Sequence, residues 1–479
     1  MGPRRASGPY CFSHNISMGS YSDLKIGQVG FGSWKDWVDD SIMVLFSEEE
    51  KRVEEIPLPP ECEQLLDEGE PSPLLSVRYV SNVETLKKRL DFLGFTIDAA
   101  RRAFDLGRAW EIEETRFTMD RFNKRFLAAE HQDLLKVNTD RNLKRIDMLA
   151  RSDADRWLTA LREAFLAPAD ADPTHLSELA AALKTVGCLH ETRFPYTTDD
   201  RFRLRFELEA HQTGEVIFDV SDLVGGGCCS ASDPLTEMAR EWVDSRDRQA
   251  LHLIVLTEGS TDKFVLESAL RVLRPELRQY ISFMDFAALR VEGGASFLAS
   301  IVRAFAGAGV QDRLIAVFDN DTAGCLSQSL LSKHRLPDNI KVIRYPDIDL
   351  ARSYPTLGPT GPVVMDINGS AAGIELYLGA DVLCGENGAL TPIQWKGFEA
   401  SLGRYQGEIT DKRGCLERFA RKLHKFEHDG GAPDASDWRD LGVILDTISS
   451  TFRATDVEFL IDSLRSRIEN ERPDPDWGA

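Results

Sequence analysis

Apolar residues recur every three to four positions through much of residues 83–186, which is the spacing of one face of an α-helix. The pattern is clearest over 83–93, where Val83, Leu86 and Leu90 are separated mainly by charged residues. The same spacing predicts further helices, which cover 97–106, 119–134, 154–165 and 175–186. An α-rich region is therefore predicted for the N-terminal half of the chain.

A different period appears between residues 193 and 223. Phe202, Leu204, Phe206 and Leu208 alternate with arginine and glutamate, which predicts a half-buried β-strand. Short mixed segments earlier in the chain, such as 41–46, are typical of strands or turns.

Between residues 252 and 345, aliphatic runs alternate regularly with helical segments. This order predicts a parallel sheet with helices on both faces. The predicted strands are 252–257, 281–286, 314–318 and 340–345, and the predicted helices between them are 261–273, 295–306 and 323–333. After this region we predict a loop-rich stretch over 346–363, a helix near 415–426, and two more helices within 437–469.

The predicted fold class is α/β. An α-rich N-terminal domain is followed by a Rossmann-like parallel-sheet domain and a helical C-terminal segment. The boundaries we expect are a flexible start at 1–17, domains at 18–248 and 249–430, and a helical extension at 431–479 with a disordered tail. Translation could start at Met1 or equally at Met18.

Composition narrows the function classes. The formal net charge is -21, whereas proteins that bind nucleic acid usually present a basic face. A metal-dependent enzyme can instead bring cations to the phosphates, so the acidity does not exclude nucleic acid. The eight cysteines form no C-x-x-C pair, so neither zinc ribbon nor disulfide framework is indicated. Without a long apolar run or a signal segment, we expect a cytoplasmic protein.

Two short acidic runs follow predicted strands. Glu258 and Asp262 come after the first strand of the parallel sheet, and Asp319 and Asp321 come after the third. The carboxyl ends of parallel strands meet at one edge of the sheet, so these side chains are expected to converge there. Carboxylate oxygens are the ligands that suit Mg²⁺ or Mn²⁺.

These motifs resemble the Toprim domain. Glu258-Gly with a following Asp262, then Asp319-x-Asp321 after a third strand, is similar to the acidic pattern of topoisomerases, DnaG-type primases, RecR and the overcoming-lysogenization-defect (OLD) nucleases. The resemblance covers residues 250–430. Two later segments are similar to the OLD-like branch, in which one brings a further carboxylate, here Glu375, and the other a catalytic lysine, here Lys412.

The resemblance implies metal-assisted hydrolysis of phosphodiester bonds, with two Mg²⁺ or Mn²⁺ ions. It assigns Glu258 as metal ligand or general acid/base, and Asp319 and Asp321 as principal metal ligands. Asp262 and Glu375 are candidates for a second ion.

Lys412 would stabilise negative charge on the phosphate in the transition state. Each residue also has a plainer interpretation: Lys412 as a solvated lysine, Glu375 as a surface carboxylate, and the three aspartates Asp262, Asp319 and Asp321 as helix caps.

The N-terminal region resembles the HEPN/Toprim-associated N-terminal domain, through segments 18–27, 45–52 and 90–96. Proteins of that architecture are similar to bacterial conflict and antiphage effectors. HEPN ribonucleases use an arginine and a histidine with four to six residues between them, a spacing that Arg125 with His131 and Arg205 with His211 both match. Such pairs also arise by chance, so structural roles for both histidines stay open.

Other readings remain. No zinc-binding pattern favours a primase, no tyrosine is marked out as a topoisomerase nucleophile, and no P-loop is present, so an ATPase would act in trans. Asp319-Asn-Asp-Thr-Ala-Gly superficially resembles the D-x-D-x-T loop of haloacid-dehalogenase-type phosphatases but departs from it at Ala323. A non-catalytic Toprim subunit that binds metal or nucleic acid is a third possibility. The prediction is a nuclease acting on DNA or RNA, with a partner protein and a homo-oligomer both left open.

Overall fold

The computed structural model of the chain mixes α-helices with antiparallel and parallel sheets, which confirms the predicted fold class. The chain divides into a first compact unit, residues 1–247 with 452–479, and a second unit, residues 248–451. The domain boundaries drawn from the sequence remain predictions. The structure describes residues 19–56, 74–125, 132–168, 172–186, 193–246, 251–284, 293–385, 388–429 and 437–471.

The first unit contains a five-stranded antiparallel sheet that the sequence patterns did not predict as a sheet. Its strands are β1 Tyr21–Ile26, β2 Val29–Lys35, β3 Lys51–Ile56, β4 Leu74–Asn82 and β5 Glu215–Asp219. The strand order is β2-β1-β5-β4-β3, so β5 lies in the middle between two strands from the beginning of the chain. Val216 and Phe218 of β5 are fully buried and anchor the sheet to the core.

Helices make up most of the rest of the first unit. They are α1 Asp40–Met43, α2 Val83–Phe92, α3 Ile97–Arg125, α4 Gln132–Ala150, α5 Ala154–Leu166, α6 Glu178–Val186, α7 Asp200–His211, α8 Ser221–Gly225 and α9 Leu235–Arg246. The helix predicted over 97–106 continues to Arg125. The segment at 41–46 contains no strand, because Asp39 accepts hydrogen bonds from the N–H groups of Ser41 and Ile42 and starts α1.

The strand predicted over 202–208 is wrong, because this segment lies inside helix α7. Its residues are buried on both of the faces that the alternation seemed to separate. The arginines that would face solvent on a half-buried strand instead pack on aromatic rings. The guanidinium of Arg201 lies 4.3 Å from the ring centroid of Phe95, and that of Arg203 lies 3.9 Å from the ring centroid of Phe31.

A buried charge cluster stabilises α7 within the first unit. Glu207 has no exposed surface, and its carboxylate lies 3.4 Å from nitrogens of both Arg193 and Arg203. Burial raises the pKa of Glu207, and the two guanidinium groups partly oppose that effect. Glu207 is thus shared by two arginines, of which Arg203 also lies 3.5 Å from Asp200.

The second unit has the predicted β/α order. Along the chain its first elements are β6 Leu253–Leu256, α10 Ser260–Leu273, β7 Ile281–Phe283, α11 Ala295–Ala308, β8 Arg313–Phe318, β9 Asn320–Asp321, α12 Thr322–Leu331 and β10 Ile340–Arg344. Strands β6, β7, β8 and β10 form a four-stranded parallel sheet in the order β10-β8-β6-β7. All four predicted strands and all three predicted helices are confirmed, with ends that differ by a few residues.

The parallel sheet is buried on both faces at its centre. Leu314 and Phe318 of β8 belong to the same buried cluster as Leu298 of α11. Ile315 and Val317 point to the opposite face, because side chains alternate along a strand, and they are buried as well. This explains why β8 reads as an uninterrupted aliphatic run in the sequence.

The remainder of the second unit adds a mixed four-stranded sheet and further helices. Its elements are β11 Tyr354–Gly358, β12 Gly361–Met365, β13 Ala371–Ala372, α13 Ala380–Leu383, β14 Ile393–Glu399, β15 Arg404–Ile409, α14 Lys412–Asp429 and α15 Arg439–Ser450. The stretch predicted as loop-rich over 346–363 instead contains β11 and the start of β12, which form a hairpin. Helix α14 contains the helix predicted over 415–426.

The last helix, α16 (Arg453–Glu471), groups with the first unit. Two nitrogens of Arg102 on α3 bond the two carboxylate oxygens of Glu458, at 2.7 and 2.9 Å. Helices α15 and α16 confirm the two helices predicted within 437–469. The predicted flexible start at 1–17 and the predicted disordered tail lie outside the described residues, as does Met18.

Among the described residues, no helix combines the length and the apolar character that crossing a membrane would require.

The buried cluster around Glu207 gives a first prediction. Glu207→Gln should lower the free energy of unfolding by about 3 kcal/mol, because it leaves Arg193 buried without its carboxylate partner and Arg203 with Asp200 alone. Urea unfolding followed by circular dichroism measures this loss. The exposed Glu215→Gln is the matched control and should change stability by less than about 0.5 kcal/mol. Equal stability of the two variants would show that the cluster does not stabilise α7.

Candidate active site

Glu258 is fixed at the carboxyl end of the parallel sheet by backbone donors. It follows β6, and its Oε1 accepts a hydrogen bond of 2.9 Å from the N–H of Asp319 at the end of the adjacent strand β8. The N–H of Ala295, at the start of α11, also donates to this carboxylate. Burial raises the pKa of Glu258 to about 8, and the charges of Asp321 and Asp262 add to the increase.

Asp319 carries the least satisfied carboxylate of the site. Its Oδ1 is buried and has no hydrogen-bond partner within the described parts of the chain, although the residue as a whole is partly exposed. Burial raises the pKa of Asp319 well above its usual range, and the charges of Asp262, Glu258, Asp321 and Glu375 raise it further. The pKa of Asp319 is thus raised by all four of the other carboxylates of the cluster.

Asp321 has two roles in the structure. It is the N-cap of α12, because its Oδ1 accepts a 2.7 Å hydrogen bond from the N–H of Gly324. The helix-cap interpretation is therefore correct for this residue, but Asp321 also faces the carboxylate cluster, as its effects on the pKa values of Glu258 and Asp319 indicate. Burial is the main cause of the raised pKa of Asp321 itself.

Asp262 lies in the first turn of α10 and is buried. Its Oδ1 accepts a 2.7 Å hydrogen bond from the hydroxyl of Tyr345, which follows strand β10. Burial raises the pKa of Asp262 to about 6, and the charge of Glu375 contributes. The hydroxyl of Tyr345, at the end of β10, therefore fixes the orientation of the Asp262 carboxyl group.

Glu375 is buried, so the surface-carboxylate interpretation does not describe it. It lies in a 3₁₀ turn, Ile374–Tyr377, directly after Gly373. A Cβ atom at Gly373 would lie 3.0 Å from Oε2 of Glu375 and 3.5 Å from Oδ2 of Asp319. The two carboxylates therefore lie on the same side of Gly373, where a Cβ atom would require the Glu375 side chain to shift by a few tenths of an ångström.

Lys412 is the first residue of α14, and its Nζ lies 3.7 Å from Oε1 of Glu375. Half of its side chain is exposed, at 52%. Burial by itself would lower the pKa of Lys412, but the charges of Glu375 and Asp319 outweigh it, so the pKa is raised. Lys412 is thus a charged lysine at the rim of the cluster, next to solvent.

Sequence reasoning missed several polar residues at the same edge. Asn320 is fully buried, its Nδ2 donates to Oδ1 of Asp347 at 2.9 Å, and its Oδ1 has no partner among the described residues. Arg344 lies close enough to Asp321 to oppose the increase in its pKa. The signal for Tyr345 was available, because it directly follows the fourth parallel strand, at the edge where the first and third strands deliver their carboxylates.

The residues fit a hard divalent cation by ligand type, but they are not arranged as a finished metal site. Within the described ranges, no group of three His, Cys, Asp or Glu side chains is placed to hold an ion. Hydrogen bonds from backbone and hydroxyl donors occupy one oxygen each of Glu258, Asp262 and Asp321. The buried Oδ1 of Asp319 is the observation that favours a cation, because no donor among the described residues compensates this carboxylate oxygen for the loss of water.

The two candidate HEPN histidines have different outcomes. His131 lies outside the described residues. His211 lies at the C-terminal end of α7, not in a strand, and its ring stacks on Phe165 with centroids 4.2 Å apart. Burial lowers the pKa of His211 to about 4, and the charge of Arg193 adds to this. At neutral pH, His211 is an uncharged ring packed in the first unit.

Arg205, the other member of that motif, is engaged in ion pairs. Its nitrogens lie 2.9 Å from Asp91 and 2.8 Å from Glu209. These contacts connect α7 to α2 and give Arg205 a structural role.

Comparison with known proteins bears on the first unit. Residues 18–242 match the family model described as HEPN/Toprim N-terminal domain 1, which supports a HEPN/Toprim-associated protein. Searches of the curated proteins and of the solved structures found no match. The family match is consistent with a nuclease-like function, and it ends before the segment that carries the carboxylate cluster.

The repulsion within the cluster gives a prediction for the protein in EDTA. Asp319→Asn should raise the melting temperature at pH 8, because it removes one of several like charges from a partly buried site. Two such charges about 4 Å apart repel by about 4 kcal/mol at an effective dielectric constant near 20. The gain should shrink toward pH 5, because carboxyl groups with raised pKa values, about 6 for Asp262 and about 8 for Glu258, then hold their protons.

The sign follows from linkage. A carboxyl group whose pKa is higher in the folded than in the unfolded protein lowers the stability of the folded protein as pH rises between the two pKa values, here from about 4 to about 8. Differential scanning calorimetry at pH 5 and pH 8 measures the effect, with the exposed Asp338→Asn as the matched control. A melting temperature that falls in Asp319→Asn at pH 8 would contradict the repulsion.

His211 gives an independent pH prediction for the first unit. Its pKa is lower in the folded protein, about 4, than its ordinary value of 6.5, so the unfolded chain takes up a proton that the folded chain does not. Stability should therefore fall as pH falls from about 6.5 to about 4, with a slope of at most about 1.4 kcal/mol per pH unit from this group. His211→Phe should flatten urea-derived stability in this window, whereas the exposed His175→Gln should leave the slope unchanged.

Proposed function

We propose that this protein is a metal-dependent nuclease that hydrolyses phosphodiester bonds in DNA or RNA. The observation that carries the proposal is the convergence of five carboxylates and one lysine at the carboxyl edge of a parallel sheet, around a buried oxygen of Asp319 that has no partner in the described residues. Structural ion pairs rarely accumulate one sign of charge in this way, whereas sites that bind cations and phosphates require it.

Mg²⁺ or Mn²⁺, bound as one or two ions, would supply charge neutralisation at the scissile phosphate and a more acidic attacking water. Asp319 and Asp321 would be principal ligands, and Asp262 and Glu375 would contribute to a second position. All four bring carboxylate oxygens, the donor type that these ions prefer.

Glu258 is the proposed general acid/base. Its Oε1 is fixed by the N–H of Asp319, which holds the carboxyl group in one orientation. Its raised pKa allows it to hold a proton near neutral pH and transfer it to or from a reacting oxygen.

Lys412 is the proposed cation for the phosphate. Its ammonium group is half exposed, so a substrate can reach it, and Glu375 holds it at the rim of the cluster. A positioned cation beside the developing charge stabilises the transition state more than the ground state.

The biological role we propose is that of an effector in bacterial antiphage defence, acting in the cytoplasm. The support is the match of residues 18–242 to a HEPN/Toprim N-terminal domain together with the acidic site in the second unit. A partner protein, such as an ATPase in trans, could control such an effector. A non-catalytic subunit that binds metal or nucleic acid is the alternative that shares the same geometry, and no observation favours a phosphatase.

The test is cleavage of plasmid DNA, single-stranded DNA and total RNA including tRNA, by the purified protein with Mg²⁺ or Mn²⁺. Glu258→Gln and Asp319→Asn should each lower the rate at least about 100-fold, and Lys412→Ala by a similar factor, because loss of a general acid/base or of a charge-stabilising group typically costs that much. Asp338→Asn is the matched control and should cut at the wild-type rate. EDTA should abolish cutting.

Cutting that survives Glu258→Gln and Asp319→Asn would move the chemistry to another site. Absence of cutting on every substrate would favour the non-catalytic alternative.

A further inference from the structure

Two neighbouring helices of the second unit stand out because neither they nor the residues that directly follow them, 309–311 and 332–337, include an acidic residue. No aspartate or glutamate occurs over 293–311, which includes α11, or over 322–337, which includes α12. At the mean content of 78 acidic residues in 479, these 35 positions would hold five or six. The same segments carry Arg303, Lys333 and Arg335. In a chain with a net charge of -21, this is a local reversal of charge.

A groove lies between these two helices. A cavity of about 450 Å³ is lined by Arg303, His334 and Arg335 among others. A second cavity, of about 240 Å³, also includes Arg303 and His334, together with the hydroxyl-bearing Ser296 and Ser327. The two cavities adjoin, because they share Arg303 and His334, and together we call them the α11–α12 groove. No carboxylate lines either cavity.

The cationic side chains of the groove are available to a ligand. Nη2 of Arg303 donates to Oγ of Ser300 at 3.2 Å, and across the described part of the chain no carboxylate forms an ion pair with Arg303 or Arg335. Elsewhere in the same unit, Arg271 and Arg274 pair with Glu427 and Asp446. The groove therefore keeps positive charge that other surfaces of the unit neutralise.

The groove begins at the candidate active site. The N–H of Ala295, the first residue of α11, donates to Glu258, and α12 starts at its N-cap Asp321. Ser296 and Ser327 lie within the first two turns of their helices, and Arg303 lies further along α11. From Ser296 to the C-terminal turn of α11 the axis runs about 16 Å, enough for at least two phosphates of a strand that rises about 3.4 Å per nucleotide.

From these observations we propose that the α11–α12 groove binds the phosphate backbone of the nucleic-acid strand that the candidate active site cuts; this inference rests on the proposed nuclease function. Guanidinium, imidazole and hydroxyl groups are the side chains that contact phosphate oxygens without reading the bases. The groove positions the strand, and the carboxylate cluster acts on it at the end where both helices begin. An acidic protein segment is the competing ligand. It is less favoured, because the proposed chemistry of the carboxylate cluster acts on phosphates and so brings them next to the groove.

Binding is measured by fluorescence anisotropy of a labelled oligonucleotide, as single-stranded DNA, single-stranded RNA and duplex, on the full chain carrying Asp319→Asn to prevent cutting. Adding Arg303→Ala and Arg335→Ala should weaken binding about 10-fold or more and lower the slope of log K against log salt by roughly 1 to 2, the loss expected for two phosphate contacts. The control pair Arg421→Ala and Lys425→Ala, exposed on α14, removes the same charge and should change affinity by less than about threefold.

A second measurement separates positioning from chemistry and uses chains with Asp319 intact. Bis(p-nitrophenyl) phosphate is a phosphodiester too small to reach from the cluster along the groove. The groove variant, which carries Arg303→Ala and Arg335→Ala, should therefore hydrolyse it at the wild-type rate. On a polynucleotide the same variant should show a KM raised about 10-fold, with kcat changed little. An equal melting temperature for wild type and variant establishes that both are folded.

The two proposals fail in different ways. Groove-dependent binding without cutting of any substrate would keep the groove and overturn the nuclease. Cutting with unchanged affinity and KM in the groove variant would keep the nuclease and overturn the groove, as would absence of nucleic-acid binding. Binding of polyglutamate that depends on Arg303 and Arg335, without binding of any oligonucleotide, would assign the groove to an acidic protein segment and also overturn the proposal.

Discussion

The second unit has to hold several carboxylates that repel one another at one edge of a parallel sheet, and the rest of its site is arranged around this constraint. The charge is stabilised mainly by neutral donors: the N–H groups of Asp319, Ala295 and Gly324 and the hydroxyl of Tyr345. Such dipoles lower the cost of each carboxylate but leave the net charge in place, whereas paired arginines would cancel it. The sheet thus holds its carboxylates together without pairing each of them to a cation, and burial and crowding raise the pKa values of Glu258, Asp262 and Asp319. A divalent cation, as we propose for this site, would relieve both effects.

The sequence predicted the parallel sheet well because its physical cause is local. A central strand covered on both faces must be apolar at every position, and β8 is buried throughout. The same rule placed Glu258 and Asp319 at one edge, since residues that directly follow parallel strands share that edge. Glu375 and Lys412 came from resemblance alone, and the structure brings them to the cluster. Asn320 was missed because a buried amide gives no distinctive pattern in a sequence.

The first unit was harder to predict because its order depends on contacts between distant parts of the chain. Strand β5 pairs with β1 across nearly two hundred residues, and no local pattern announces such a pair. In α7 the failure has a different origin. Alternation indicates a strand only if the charged positions face water, and here arginine and glutamate are buried against each other and against aromatic rings. Because these charged side chains are buried, the two-residue period of this segment does not indicate a strand.

The position of α16 affects how the protein is made. This helix packs with the first unit on α3, yet it follows the whole second unit in the chain. At about 5 to 20 residues per second, a ribosome needs roughly 10 to 40 seconds to add residues 248–451 before α16 emerges. During that interval the nascent first unit lacks the apolar residues of α16, such as Ile461 and Leu464, which are buried in the finished protein. The half of the chain that is synthesised first is therefore completed last, and its unfinished surface is available to chaperones while translation continues.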